Sequence, residues 1–273
     1  MQNAETMNGL VIGDGHVHIH DLFDMDRLLT AAAKNFSHQA ERTAHQGEPV
    51  CYLLLTESFG CDFFARLRDK DLIPKVWTVK ATGEENCLHA SCPGRVDIFL
   101  VAGRQIVTRE RLEILALGLS SSWPDGRNLD DVLDQLSPLE LPLVLPWGAG
   151  KWLGKRGRLV RKIIQSQRWP MLFVGDNANR PFFWSRSQLI REAEKMGIRN
   201  LQGSDPLPFR NQETRAGSFG FCFSANINAT LPFRSLVNHI INPQTRLFTY
   251  GTPESMLSFF YHQISLQLAK LRG

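Results

Sequence analysis

The chain has 273 residues, 43% of them hydrophobic and 21% charged, a balance that allows a large buried core and excludes a disordered or low-complexity protein. Its formal net charge of +4 is too mild for a strong nucleic-acid signal, and its five cysteines form no C-x-x-C pair that would suggest a zinc knot or a disulfide framework. The opening residues lack a charged-then-apolar leader and no apolar run reaches bilayer length, so a soluble, cytoplasmic protein with no membrane partner is expected.

Residues 10–19 have the apolar content of a buried strand ending in polar groups, and 26–44 have the composition of a helix. The compact run at 49–56 predicts a second strand. A helix should follow over 59–72, where Phe63, Phe64 and Leu67 share one face. Residues 76–81 and 86–89 flank Thr82-Gly83-Glu84-Glu85 as a hairpin, and 97–102 and 111–119 add strands. Alternation then resumes: helix 129–136, strand 141–145, basic helix 159–167, strand 171–174, helix 188–196 stopped by Gly197, and a short strand at 200–202. From Phe221 the signals become an Asn-rich turn, a helix over 232–241, a strand over 246–250 and a closing helix over 253–271. With no internal repeat or linker, this pattern predicts one α/β domain over residues 1–273, built on a parallel sheet or barrel.

Chemistry concentrates at Asp14-Gly15-His16-Val17-His18, at the end of the first strand. Residues two apart on an extended segment point to the same side, so both imidazoles can reach one ion. In a parallel barrel the strand ends share a face, and Asp205 in Gly203-Ser204-Asp205-Pro206 can supply a third ligand there. Two His and one Asp match a hydrolytic zinc site with an open position for water; Asp205 would be ligand, catalytic base or both in turn.

The order of these motifs resembles the PHP family, named for its polymerase and histidinol phosphatase domains, whose members are largely metal-dependent phosphoesterases on a distorted β/α barrel. The resemblance runs from Asp14 to Gly220. The family's opening D-x-H-x-H is kept as Asp14, His16 and His18. Its T-D-H reads Thr56-Glu57-Ser58, and its G-x-E strand reads Gly103-Arg104-Gln105. Glu113 stands where a ligand His is expected, Trp147 replaces the His of A-H-P, and Gly203-Ser204-Asp205 is followed by Pro206-Leu207 in place of A-H. The resemblance implies a TIM-barrel-related distorted barrel with an inserted β-hairpin, and a degenerate site. His16, His18 and Asp205 would hold one divalent ion, zinc first, with manganese or iron as the other fits. Donors for further ions are replaced by Gln105, Glu113, Trp147, Ser58 and Leu207, too large a loss for outer contacts to restore.

The implied activity is a mononuclear metal-dependent hydrolase acting on a small anionic substrate such as a phosphate ester. The alternatives are a catalytically degenerate barrel that binds or scaffolds, and an amidohydrolase-like single-zinc enzyme cleaving amides or esters. Around the trio, Asp14, His20, Asp21 and Glu57 are candidate supporting residues. Arg104 is a candidate anion partner on the site face or else a partner of Glu113. The glycine-rich basic stretch 148–158, with Lys151, suits an anionic group near a helix start. Asp176 and Asn177 end a strand and would line the same mouth, though turn chemistry alone also accounts for them. Trp147 and Trp152 are candidate pocket walls.

Overall fold

The structure, a computed structural model, describes residues 6–182, 184–255, 259–262 and 264–265. In chain order its first half comprises β1 (Thr6–Val17), α1 (Met25–Arg42), β2 (Val50–Leu55), α2 (Phe63–Arg68), β3 (Thr78–Ala81), β4 (Cys87–Ser91) and β5 (Ile98–Val101). The second half comprises β6 (Gly103–Val107), β7 (Glu113–Leu117), α3 (Leu129–Leu136), β8 (Leu143–Pro146), α4 (Gly154–Ser166), β9 (Leu172–Gly175), α5 (Gln188–Lys195), β10 (Gly220–Asn228), α6 (Pro232–Ile241) and β11 (Phe248–Tyr250).

Local chemistry explains the main boundaries. Asp24 caps α1 by accepting from the Arg27 N–H (2.9 Å), and Leu28, Leu29, Ala32, Ala33 and Phe36 form the helix's buried stripe. The helix expected over 59–72 is only the six residues of α2, because the chain turns at Lys70 with φ 65° and the Leu72 N–H returns to the Arg66 carbonyl (2.9 Å). The hairpin is formed by β3 and β4 in antiparallel register, Thr78 opposite Ser91. The Asn-rich stretch after Phe221 is not a turn. It continues as β10, antiparallel to β1 from Gly13 opposite Phe221 to Thr6 opposite Asn228. Its polar residues mislead because Ser224 and Asn226 sit on a solvent face of a paired strand while Ile227 is buried. Of the closing helix expected over 253–271, residues 253–255 are not helical, with Glu254 bridging Pro181, while 259–262 and 264–265 are helical; the rest lies outside the described residues.

The strands form two sheets, a seven-stranded one in the order β11-β10-β1-β2-β5-β4-β3 and a four-stranded one in the order β6-β7-β8-β9. Among the described residues a closed barrel is therefore not formed as one continuous ladder, and that expectation is corrected. The sheets meet at two seams of single bridges. At one, the Glu57 N–H donates to the Gly103 carbonyl (3.0 Å) and the Gln105 N–H to the Glu57 carbonyl (2.9 Å). At the other, the strip at 200–205 lies between β9 and the tip of β1. The Leu201 N–H reaches the Val174 carbonyl (2.8 Å), and on the opposite side the Gly15 N–H reaches the Gln202 carbonyl (2.8 Å). Glycine permits both approaches: a Cβ at Gly103 would lie 2.1 Å from the Leu55 carbonyl oxygen, and one at Gly203 would lie 2.2 Å from the His16 nitrogen.

Between the sheets a shared apolar layer joins Val11, Tyr52, Leu54 and Phe221 of the larger sheet to Leu115, Val144 and Phe173 of the smaller. Helices α1 and α2 cover the outer face of the first sheet, and α3, α4 and α5 that of the second. Among the described residues no helix is long and apolar enough to cross a membrane.

Candidate metal centre

His16 and His18 project from the end of β1 with their Nε2 atoms 3.0 Å apart, both side chains buried. Asp205 joins them from the strip beside it, its Oδ1 3.6 Å from the Nε2 of His16 and 3.8 Å from that of His18. Asp205 has φ 48°, in the left-handed region that Asp tolerates better than most residues. Three contacts hold it there. Its N–H donates to the His16 carbonyl (2.8 Å), Asn179 Nδ2 donates to its carbonyl (2.7 Å), and Asn177 Nδ2 donates to its Oδ2 (3.0 Å), which leaves Oδ1 directed at the histidines.

Asp14 does not face this centre. It is fully buried, accepting from Ser204 N (2.8 Å), Ser204 Oγ (2.5 Å), Gly217 N (2.8 Å) and His16 N (3.2 Å). Burial pushes its carboxyl up to about 7 against the pull of these four donors. Its effect is to tie the tip of β1 to the turn that carries Asp205.

Burial, reinforced by the neighbouring His16, lowers the His18 imidazole to about 3, with Asp205 opposing. Burial pushes Asp205 upward, but the combined pull of His16, His18 and Lys151 leaves its carboxyl below the ordinary range. The two imidazole nitrogens, 3.0 Å apart, can share at most one proton between them. A cation would satisfy both lone pairs and the carboxylate together. The three donor atoms lie within 4.8 Å of one another, and tetrahedral coordination with bonds of ~2.0–2.1 Å would place ligands about 3.3 Å apart, inside the spread observed here. The donor set fits a single divalent ion.

The centre opens into a cavity of about 330 Å³. Ser58, Gln105, Glu113, Trp147 and Leu207, five of the positions at which the sequence departs from the resembled motifs, line it, whereas Glu57 does not. Gln105 stands beside His18, and Glu113 is ion-paired with Lys151. His20 lines the same space, its Nε2 3.1 Å from the Pro206 carbonyl oxygen, whereas Asp21 is exposed. Trp147 is a buried residue of this cavity wall, while Trp152 lines an adjoining cleft.

Three candidates stand elsewhere. Successive strand residues point to opposite faces, so with Gln105 turned inward Arg104 is turned out. It pairs with Glu57 at 2.9 Å, not with Glu113, and also donates to the carbonyls of Cys61 and Ser120. Glu57 in turn accepts from the Phe64 N–H at the start of α2 (2.6 Å), and burial holds its carboxyl above the usual value. By the same alternation Asn177 faces Asp205 while Asp176 is turned away, held by Arg180 through contacts of 3.0 and 2.9 Å. Sequence reasoning overlooked Asn179. Its position two residues beyond Asn177 at a strand end was the available signal.

No protein-family model matches the chain, and no curated protein matches its sequence. Solved structures do resemble its fold. PsfC from Pseudomonas syringae PB-5123 matches with a TM-score of 0.55 at 14% identity, covering 95% of this chain and 100% of that one. The lesion-specific endonuclease PfuEndoQ from Pyrococcus furiosus matches with a TM-score of 0.52 at 13% identity, over 89% of this chain; the match spans 59% of the endonuclease. At these identities the likeness is one of fold: a mixed α/β architecture shared with both.

Proposed function

We propose that this chain is a mononuclear metal-dependent hydrolase of PHP type acting on an anionic substrate, with a phosphate ester as the leading class. One observation carries the reading: the Nε2 atoms of His16 and His18 and a carboxylate oxygen of Asp205 converge within 4.8 Å, and His18 and Asp205 line a cavity that Lys151 also borders. Zinc suits two imidazoles and a carboxylate, with manganese or iron as alternatives. An ion held there would supply Lewis acidity and bring the pKa of water toward ~7. The chain's own groups do the rest. Asn177 and Asn179 fix Asp205, Gln105 stands beside His18, and Lys151, ion-paired with Glu113 on the same wall, would exchange that partner for an anion entering past Trp147. The fold it shares with a protein named as an endonuclease is compatible with a phosphodiester substrate.

A second reading is a barrel relative that has lost catalysis and binds or scaffolds. Neutral or apolar Gln105, Trp147 and Leu207 in the cavity favour it. Metal analysis of protein purified without chelator or nickel resin separates the two. A stoichiometric ion that disappears in the His16→Ala/His18→Ala double variant, together with turnover of a generic phosphomonoester or phosphodiester, supports the enzyme. Metal-free protein with no hydrolysis supports the binder, and turnover of acyl esters alone points to the amidohydrolase-like chemistry instead.

A further inference from the structure

The mild net charge conceals a local concentration of arginine. Beside the metal centre, and sharing Trp147 and Gly148 with its cavity, lies a second cleft of about 430 Å³. Arg158 and Arg161 from α4, and Arg186 and Arg191 from α5 and the loop before it, line this cleft, and among the described residues no carboxylate does. Two of the four are neutralised from outside: Arg161 pairs with Glu192 at 2.9 Å and Arg186 with Glu194 at 2.7 Å. Arg158 and Arg191 are exposed, with no ion-pair partner among the described residues; Arg191 donates to the Arg186 carbonyl (2.6 Å).

Helix α4 adds to this field. Its thirteen residues include Lys155, Arg156, Arg158, Arg161 and Lys162 and no acidic residue. Two of these cations, Lys155 and Arg156, fall in the first turn, where the aligned peptide dipoles oppose positive charge. A side chain able to accept hydrogen bonds is also missing at the N-cap, which is Leu153. Folding alone would favour the opposite charges at these positions, so the arrangement calls for an external anion. Trp184, 41% exposed, stands edge-on to Trp147 at 5.9 Å and contributes an aromatic wall to the cleft.

We infer that the arginine cleft holds a second phosphate of the same molecule whose reacting ester lies at His16, His18 and Asp205. The inference rests on the hydrolase reading for the first group and on the arginines for the second. Because Trp147 and Gly148 border both spaces, one substrate with two separated phosphates can occupy them together. Guanidinium groups suit phosphate because their planar N–H forks match its oxygens. The second phosphate has two sources, the backbone of a short nucleic-acid strand or a small bisphosphate.

Isothermal titration calorimetry on the full chain tests this with inorganic phosphate, fructose 1,6-bisphosphate and a 5′-phosphorylated thymidine tetranucleotide as probes. At least one two-phosphate probe should bind tenfold or more tightly than inorganic phosphate. An Arg158→Gln/Arg191→Gln variant should lose that advantage and bind the two-phosphate probe no more tightly than wild type binds inorganic phosphate. Arg158→Lys/Arg191→Lys should recover part of it, and the salt dependence of binding should fall in the glutamine variant. Preference for the tetranucleotide assigns the cleft to a strand, and preference for the bisphosphate to a small molecule. The idea is overturned if neither probe exceeds inorganic phosphate, or if the glutamine variant binds both as the wild type does. Metal content of the wild type, which these surface changes leave alone, reports separately on the hydrolase reading.

Discussion

Asp14 and Ser204, 190 positions apart in the chain, are joined twice: Ser204 N donates to one carboxylate oxygen of Asp14 at 2.8 Å and Ser204 Oγ to the other at 2.5 Å. This pairing, with Gly217 N on the same carboxylate, brings the tip of β1 against the turn bearing Asp205. Asp14→Ala would strand several buried donors at once. It is expected to lower unfolding free energy by about 3–5 kcal/mol, at the upper end for single substitutions. Urea denaturation checks this, and a midpoint within error of wild type would show that the carboxylate is not the tie described.

Asn177→Ala should behave differently. It frees one oxygen of Asp205 and the buried Trp147 carbonyl, so metal affinity is expected to fall roughly 10- to 100-fold with a stability loss of about 1–3 kcal/mol. A competition titration with a chromophoric zinc chelator reads the first quantity and thermal unfolding of the metal-free protein the second.

The Glu57–Arg104 pair is nearly inaccessible to solvent, with side-chain exposures of 1% and 7%. Glu57→Gln leaves a buried guanidinium without its countercharge and is expected to cost about 3–5 kcal/mol. Because neither group faces the cavity, metal stoichiometry in the folded variant should equal that of wild type. Loss of metal in well-folded Glu57→Gln protein would return these residues to the site.

Metal-free protein should lose stability on acidification between pH 6.5 and about 3 through His18. In that window the unfolded imidazole, with an ordinary value of 6.5, takes a proton, while the folded one resists until about 3. The unfolded state therefore binds more protons, and unfolding is favoured as pH falls. Asp205, held below its ordinary value, adds to the loss at the acidic end. Asp14 acts oppositely: its folded carboxyl, raised to about 7 from 3.8, favours the folded state on acidification through that range. Denaturation of wild type and His18→Ala at stepped pH in metal-free buffer isolates the first contribution, and the variant should show the shallower acid dependence below pH 6.5.

The parts of the architecture readable in the sequence were those governed by local periodicity. The helices at Leu129–Leu136 and Pro232–Ile241 fall where their apolar spacing puts them, and the Thr82–Glu85 turn joins the strands it should. Strand β10 was hidden because Ser224, Asn226 and Asn228 have turn-like composition, and only their pairing with β1 makes them a strand. At the centre, His16 and His18 were legible from the two-residue repeat of extended chain, and Asp205 from its place in Gly-Ser-Asp. Arg104 and Asp176 were misplaced because each neighbours a residue that does face the cavity, and which of two adjacent side chains points inward is fixed by pairing across the sheet. The arginine cleft was half hidden for a related reason: Arg186 and Arg191 lie about thirty positions from Arg158 and meet it only through the packing of α5 beside α4.

The glycine-lined join at Gly203 has a mechanical consequence. His16 and His18 stand at the end of a strand of the larger sheet, whereas Asp205 belongs to the strip carried by the smaller one, so a cation gripped by all three would act as a clasp that adds to the backbone contacts and the Asp14–Ser204 tie already fastening the two halves there. An ion that binds only the shut form adds RT ln(1 + [ion]/Kd) to its persistence. Metal supply would then govern how often this edge parts, as well as what chemistry takes place beside it.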